Sequence, residues 1–336
     1  MNSAITLIPN VQLGVVPTHL KFVGGLVPNE SGCLPRKPDG EIVIVAGMRE
    51  LLEKSPVAFS CVQVSLFPGT RPEELDLLVQ GLKLLGLEVD FVLMVGGVNP
   101  MNPADEDAVI AQLLPNLKSA VRHGARHVSS TSIEEWMSRE PPREGAQYEA
   151  AIEQNAKLHC RAYEQAGLEG TSVQSWNIEF LRPGEFKTFT SLQRGWECIQ
   201  RMNEKLGKPF FKILVDAAHC GDSGVSLAEN EALVAKIAAA GELGIFHASA
   251  KTTRGCLSSD DGWTGAMLTA MAKTGSLRHV YLEMFDHRDE ALAPLRALEP
   301  GHGIDTTDGR SYTDVMTDGL IDVARRLNNL AARGIL

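Results

Sequence analysis

Four apolar runs in the second half of the chain close on side chains that can bind a cation or carry a proton. Val173 to Phe180 brings in Glu179, Phe210 to Asp216 ends on Asp216, Leu243 to His247 ends on His247, and His279 to Glu283 ends on Glu283. A buried carboxylate without a partner is costly, so four such positions are expected to share one. Three carboxylates and one imidazole make an oxygen-rich donor set with a single nitrogen. That set suits one divalent ion such as Mn, Mg or Co, with Zn a lesser choice because structural zinc sites favour sulfur and imidazole.

The spacing says what positions these groups. Glu179, Asp216, His247 and Glu283 follow one another at intervals of 37, 31 and 36 residues, each enough for one strand, one helix and two loops. Successive parallel strands then present all four side chains at one end of a sheet. In a closed (β/α) barrel the C-terminal strand ends converge on the axis, where the four would meet.

The rest of the chain supports that architecture. Strands are expected at Val11 to Val16, Val57 to Phe67, Val89 to Val95 and Arg126 to Ser130, followed by Val173 to Phe180, Phe210 to Asp216, Leu243 to Ala248 and His279 to Phe285. Helical periodicity falls between them. The stripe Leu75, Leu78, Val79, Leu82, Leu85 and the stripe Val109, Leu113, Leu117, Val121 are two examples, and Gly167 stands where a left-handed cap would end a helix over 147–166. Eight strands alternating with helices favour a single α/β domain over 1–336, a (β/α)8 TIM barrel. No Gly-x-Gly-x-x-Gly follows a strand, which argues against a dinucleotide fold.

Three segments depart from the alternation. An irregular N-terminal excursion carries Pro28, Gly32, Pro35, Pro38 and Gly40; a charged, proline-rich stretch over Glu134 to Gly145 is expected to be exposed; and a long connection follows strand eight, Asp286 to Thr313. The excursion could serve as a lid over the barrel mouth, as a subunit contact in a homo-oligomer, or simply as a long loop.

Composition narrows the function. The net charge of −10, without a Lys/Arg run interleaved with aromatics, disfavours nucleic acid. No apolar run reaches the roughly 18–20 residues of a bilayer span, and the first residues lack the pattern of a secretion signal, so no membrane partner and a cytoplasmic location are expected. The six cysteines are scattered without a Cys-x-x-Cys pair, as reduced and mostly buried thiols would be.

From about Val89 to Phe285 the chain resembles the xylose isomerase-like barrels, in particular the sugar and sugar-phosphate isomerase/epimerase branch that includes the ketose 3-epimerases. Members hold one divalent ion with a Glu, an Asp, a His and a second Glu on strands five to eight, and Glu179, Asp216, His247 and Glu283 match in order and spacing. Two satellites agree as well: Glu185, six residues after the first ligand, and His219, three after the aspartate. The resemblance implies that His219 contacts a substrate oxygen, that Arg254 does the same, and that Glu185 bonds to His219 or to substrate. It also implies a small-molecule sugar or polyol substrate.

The chemistry such a set could perform is proton transfer next to a carbonyl. The resulting enediolate is high in energy, and a cation beside its oxygens offsets the developing charge. Two glutamates on opposite faces of the carbon, Glu179 and Glu283, could act as base and acid. A lyase on the same scaffold shares the first step and then expels a β-substituent. A non-catalytic sugar-binding subunit is disfavoured by the complete donor set, and metal-dependent nucleic-acid repair by the charge and the nine histidines. Taken singly, each residue has a plainer reading: a carboxylate satisfied by a neighbouring Arg or Lys, an Asp and His capping a strand end, a core histidine bonded to a carbonyl.

Overall fold

The structure, a computed structural model, describes residues 4–17, 25–250, 262–284, 293–298 and 310–336. Eight parallel strands close on themselves in sequence order: β1 (Gln12–Val16), β2 (Cys61–Leu66), β3 (Glu88–Leu93), β4 (His127–Ser130), β5 (Ser175–Glu179), β6 (Phe211–Asp216), β7 (Leu243–Ala248) and β8 (His279–Glu283). This is the (β/α)8 TIM barrel expected from the alternation. The strands are rich in Val, Ile and Phe, and β8 pairs with β1 to seal the ring, from Gln12↔His279 to Val16↔Glu283.

Helices α1 (Val43–Lys54), α2 (Pro72–Leu84), α3 (Glu106–His123), α4 (Ala146–Ala166) and α5 (Leu192–Leu206) connect the early strands. They are followed by α6 (Ala217–Asp222), α7 (Leu227–Ala239), α8 (Trp263–Lys273), α9 (Ala293–Leu298) and α10 (Tyr312–Ala332). None of the described helices is long and apolar enough to cross a membrane. Their ends follow local chemistry. Ser226 and Glu229 form a capping box at α7, Ser311 and Asp314 another at α10, and Gly167 closes α4 at φ 65°, as expected.

The sheet has two faces of different character. Leu13, Val62, Phe91, Trp176, Phe211, Phe246 and Leu282 point outward and pack with the helices in the main core. The alternate positions point inward, as bonds between non-adjacent strands demonstrate. The Tyr281 hydroxyl on β8 donates to Asp90 Oδ2 on β3 at 2.6 Å, and His247 on β7 meets Gln63 on β2 at 2.8 Å. Burial pushes the Asp90 carboxyl above its ordinary pKa, while hydrogen bonds from Tyr281 and the His127 amide pull it back.

The register contains one irregularity that serves the site. Ile213 pairs with Leu243, but Val215 pairs with Phe246, so β7 holds one extra residue at this point and Asp216 comes to lie opposite His247. Gly244 occupies the bulge, where a Cβ would stand 2.2 Å from Asn177 Oδ1 and 2.7 Å from the Ile213 carbonyl oxygen. Because that carbonyl is backbone and cannot swing away, Gly244→Ala is expected to destabilise the chain by about 1–3 kcal/mol. Chemical denaturation checks this, and an unchanged midpoint would count against it.

Elsewhere the structure departs from the sequence reading in small ways. β2 begins at Cys61, and Val57 makes only a lone bridge to Ile5. The short helix α6 follows β6 directly, started by Asp216 itself, whose carboxylate accepts from the His219 amide. In the excursion, Leu26 and Leu34 are buried, and Glu74 of α2 accepts hydrogen bonds from the Leu34 amide at 3.1 Å and from Arg36 at 2.8 Å. Most of the connection after β8, Asp286 to Thr313, lies outside the described residues.

Helices α3 and α4 are joined by one buried carboxylate. Glu106 accepts from Gln154 at 2.8 Å, from Arg161 at 2.8 Å and pairs with Lys157 at 2.8 Å. Burial opposes its ionisation, yet these three donors prevail and hold its pKa at about 2. A depressed pKa contributes stability that is present above the unfolded value near 4.5 and lost as pH falls through about 2. Glu106→Gln is therefore expected to lower the melting temperature at neutral pH, and its deficit should shrink between pH 4.5 and 2. A deficit independent of pH would refute the linkage.

Candidate active site

Glu179 is the last residue of β5, Asp216 the last of β6, His247 the fifth of β7 and Glu283 the last of β8. One potential ligand atom from each lies within 4.8 Å of all the others, and all four side chains are buried. An ion with bonds of about 2.0–2.6 Å could bridge that span, so the residues fit a divalent metal in both spacing and donor chemistry.

His247 presents Nδ1 to the carboxylates, 3.0 Å from Glu283 Oε2 and 3.7 Å from Glu179 Oε1. Its Nε2 faces the barrel interior, 2.8 Å from Gln63 Oε1, and Gln63 Nε2 in turn donates to Ser129 Oγ at 2.8 Å. Asp216 is fully buried; Oδ1 accepts from the His219 amide at 2.8 Å and Oδ2 from Ser249 Oγ at 2.6 Å. These two bonds hold the orientation of the carboxylate, and an oxygen that accepts one hydrogen bond has a second lone pair.

His219 sits on α6, one turn beyond Asp216, with Nε2 3.4 Å from Glu179 Oε1. The backbone N–H of Arg182 lies 3.2 Å from Nδ1. An amide N–H can only donate, so Nδ1 accepts and the ring proton is on Nε2, directed into the site. His219 is thus built as a hydrogen-bond donor towards whatever lies against Glu179.

Glu185, expected to bond to His219 or to substrate, is buried beside Arg182 and Trp136. Arg182 Nε donates to Glu185 Oε1 at 3.0 Å, and Trp136 Nε1 reaches Oε2 at 3.3 Å. Arg182, itself buried, also contacts Asp222 at 3.3 Å. Arg254 lies outside the described residues.

The segment over Glu134 to Gly145 is not uniformly exposed. Glu134 is 5% exposed, and its two oxygens accept the backbone N–H groups of Lys187, Thr188 and Phe189 at 2.9–3.0 Å. It clamps the loop after β4 to the loop after β5, just past Glu185. Met137, at φ 56°, donates its amide to the Glu185 carbonyl at 2.8 Å across the same junction.

Gln63, Ser249, Arg182, Trp136 and Glu134 were not singled out by sequence. For Gln63 a signal exists: it is the polar residue at the centre of the strand Cys61–Leu66, in the inward register. For Glu134 the charged surroundings conceal it.

No protein-family model matches the chain, and no curated protein is similar to it. Solved structures do resemble it. A protein from Anabaena variabilis provisionally described as a sugar phosphate isomerase/epimerase superposes with a TM-score of 0.74 at 15% identity, over 96% of this chain and 100% of that one. The D-allulose 3-epimerase of a Methylomonas species gives 0.67 at 13% identity, over 96% and 99%. The IolI protein with a bound zinc atom gives 0.61 at 12% identity, over 94% and 99%. At these identities the likeness shows a shared fold across the whole barrel.

Proposed function

We propose that the protein is a divalent-metal-dependent isomerase or epimerase of a sugar or sugar-like keto-polyol. The observation that carries this reading is the convergence of Glu179, Asp216, His247 and Glu283 from four strands onto one buried point. The fold shared with ketose 3-epimerases supports the choice of substrate class.

Glu179, Asp216, His247 and Glu283 hold one ion, with Mn, Mg or Co preferred by the oxygen-rich set and Zn also admissible. When bound, the ion would supply positive charge that offsets the negative charge developing on the substrate during proton transfer. Glu179 and Glu283, on strand ends β5 and β8, each carry a carboxylate that can take or return a carbon-bound proton, one on each face of the carbon. His219 donates from Nε2 to a substrate oxygen, and Arg254 binds another. Glu185 acts indirectly: by holding Arg182 it keeps in place the amide that orients His219.

Incubation with a panel of keto sugars in heavy water tests the reading. Product, and in part recovered substrate, is expected to carry deuterium on the carbon next to the carbonyl, with no change in mass beyond the label. Retention of the original hydrogen would point to a hydride shift, loss of water to a lyase, and either result would displace the proposed reaction.

A further inference from the structure

One side chain beneath the site decides what His247 can be. Gln63 is wholly buried at the middle of β2, separated from β7 by β1 and β8, and its amide touches His247 Nε2 through Oε1 at 2.8 Å and Ser129 Oγ through Nε2 at 2.8 Å. A carbonyl oxygen only accepts, so Gln63 Oε1 calls for a ring proton on Nε2; Glu283 Oε2, also an acceptor, stands 3.0 Å from Nδ1, which leaves Nδ1 as the nitrogen whose lone pair a cation between the carboxylates would take. The reversed amide would donate to Nε2 and drive the proton to Nδ1. His247 would then be a hydrogen-bond donor to Glu283, and its lone pair would point away from the carboxylates.

We infer that Gln63 is a positioning residue for the metal centre, its amide oxygen fixing the His247 tautomer that can ligate through Nδ1. The inference rests on the metal-binding reading above. Its physical basis is that a ligating imidazole is oriented, and made more basic, by the acceptor on its other nitrogen. Ser129 contributes at one remove, its hydroxyl meeting the other end of the same amide at 2.8 Å. Among the described residues no other group is hydrogen-bonded to His247 Nε2, so the acceptor role falls to Gln63.

The test compares the wild-type chain with Gln63→Leu and Gln63→Glu. Binding of Mn²⁺ is followed by the electron paramagnetic resonance of the free ion, with circular dichroism and thermal unfolding as checks of folding. The wild type should bind about one ion. Gln63→Leu removes the acceptor at similar volume and is expected to bind about 10–100-fold more weakly, whereas Gln63→Glu keeps an acceptor oxygen and should restore affinity to within a few-fold of wild type. In ¹⁵N-histidine-labelled wild type loaded with Zn²⁺, the His247 signals, identified by their loss in His247→Gln, should show the proton on Nε2 and the metal on Nδ1. A folded Gln63→Leu with undiminished affinity, or a ring proton on Nδ1, overturns the proposal while leaving the metal reading in place. A wild-type chain that takes up no Mn²⁺ overturns the metal reading and the proposal with it. Should Gln63→Leu fail to fold, weak binding by a folded Gln63→Glu is likewise an overturning result, and the nitrogen spectrum of the wild type decides independently.

Discussion

Glu179→Gln and Glu283→Gln are each expected to lower turnover of a keto-sugar substrate by about 10²–10⁴-fold, the usual contribution of a positioned acid or base. Glutamine keeps the shape and one oxygen donor, but it cannot accept a proton from carbon at pH 7. Both residues also belong to the ligand cluster, and Glu283 Oε2 lies 3.0 Å from His247 Nδ1. Metal content must therefore be measured on the same samples. Loss of solvent exchange with the ion retained assigns the residue to proton transfer. Loss of both assigns it at least to binding. If either variant turns over within a few-fold of wild type, that glutamate is not a proton carrier, and a mechanism with one group on each face fails.

Removal of the divalent ion is expected to reduce turnover by more than about 100-fold, since charge stabilisation of this kind contributes about 10²–10³-fold even from a single donor. Chelation followed by re-addition of Mn, Mg or Co should restore the wild type. Asp216→Ala should not be restored, because the lost carboxylate is fully buried and nothing beside it can substitute: Ser249 Oγ would lose its acceptor at 2.6 Å and the His219 amide its own at 2.8 Å. Elemental analysis of the purified chain, read against activity on the same sample, checks both statements. A chelated protein with less than about a tenth of its ion and undiminished turnover would exclude metal-dependent chemistry.

The barrel and the four converging groups were legible because each is written in short-range pattern. A polar residue closing a run of Val, Ile and Phe marks a strand end, and near-equal intervals between such ends imply repetition of one supersecondary unit. The bulge at Gly244 was not legible, since a one-residue slip between β6 and β7 leaves the apolar alternation almost unchanged while realigning Asp216 with His247. Glu134 was misread for a different reason. Its neighbours Glu135, Arg139 and Glu140 are what an exposed loop carries, and only the three amide donors from the next βα loop, more than fifty positions away, reveal that it is buried. The surroundings of Glu185 were missed likewise: Arg182 lies only three residues from it, but the direction of its side chain depends on the turn between them. Pattern finds which residues reach the barrel mouth; which of them touch is set by loop geometry that the pattern does not encode.

The pairing of β1 with β8 has a consequence for how the chain comes to be competent. Val16 and Glu283 are register partners although 267 positions separate them, which makes the final seam the most non-local contact in the sheet and, on loop-closure grounds, a slow one to form. Glu179, Asp216, His247 and Glu283 come from the consecutive strands β5 to β8, which pair with one another without β1, and the seam between β8 and β1 is what closes the ring. Before that event the chain presents two unpaired strand edges, which invite association with other chains. Closure of the ring and protection from aggregation are therefore acquired together: a molecule whose seam has joined is one whose sheet has no edge left to offer.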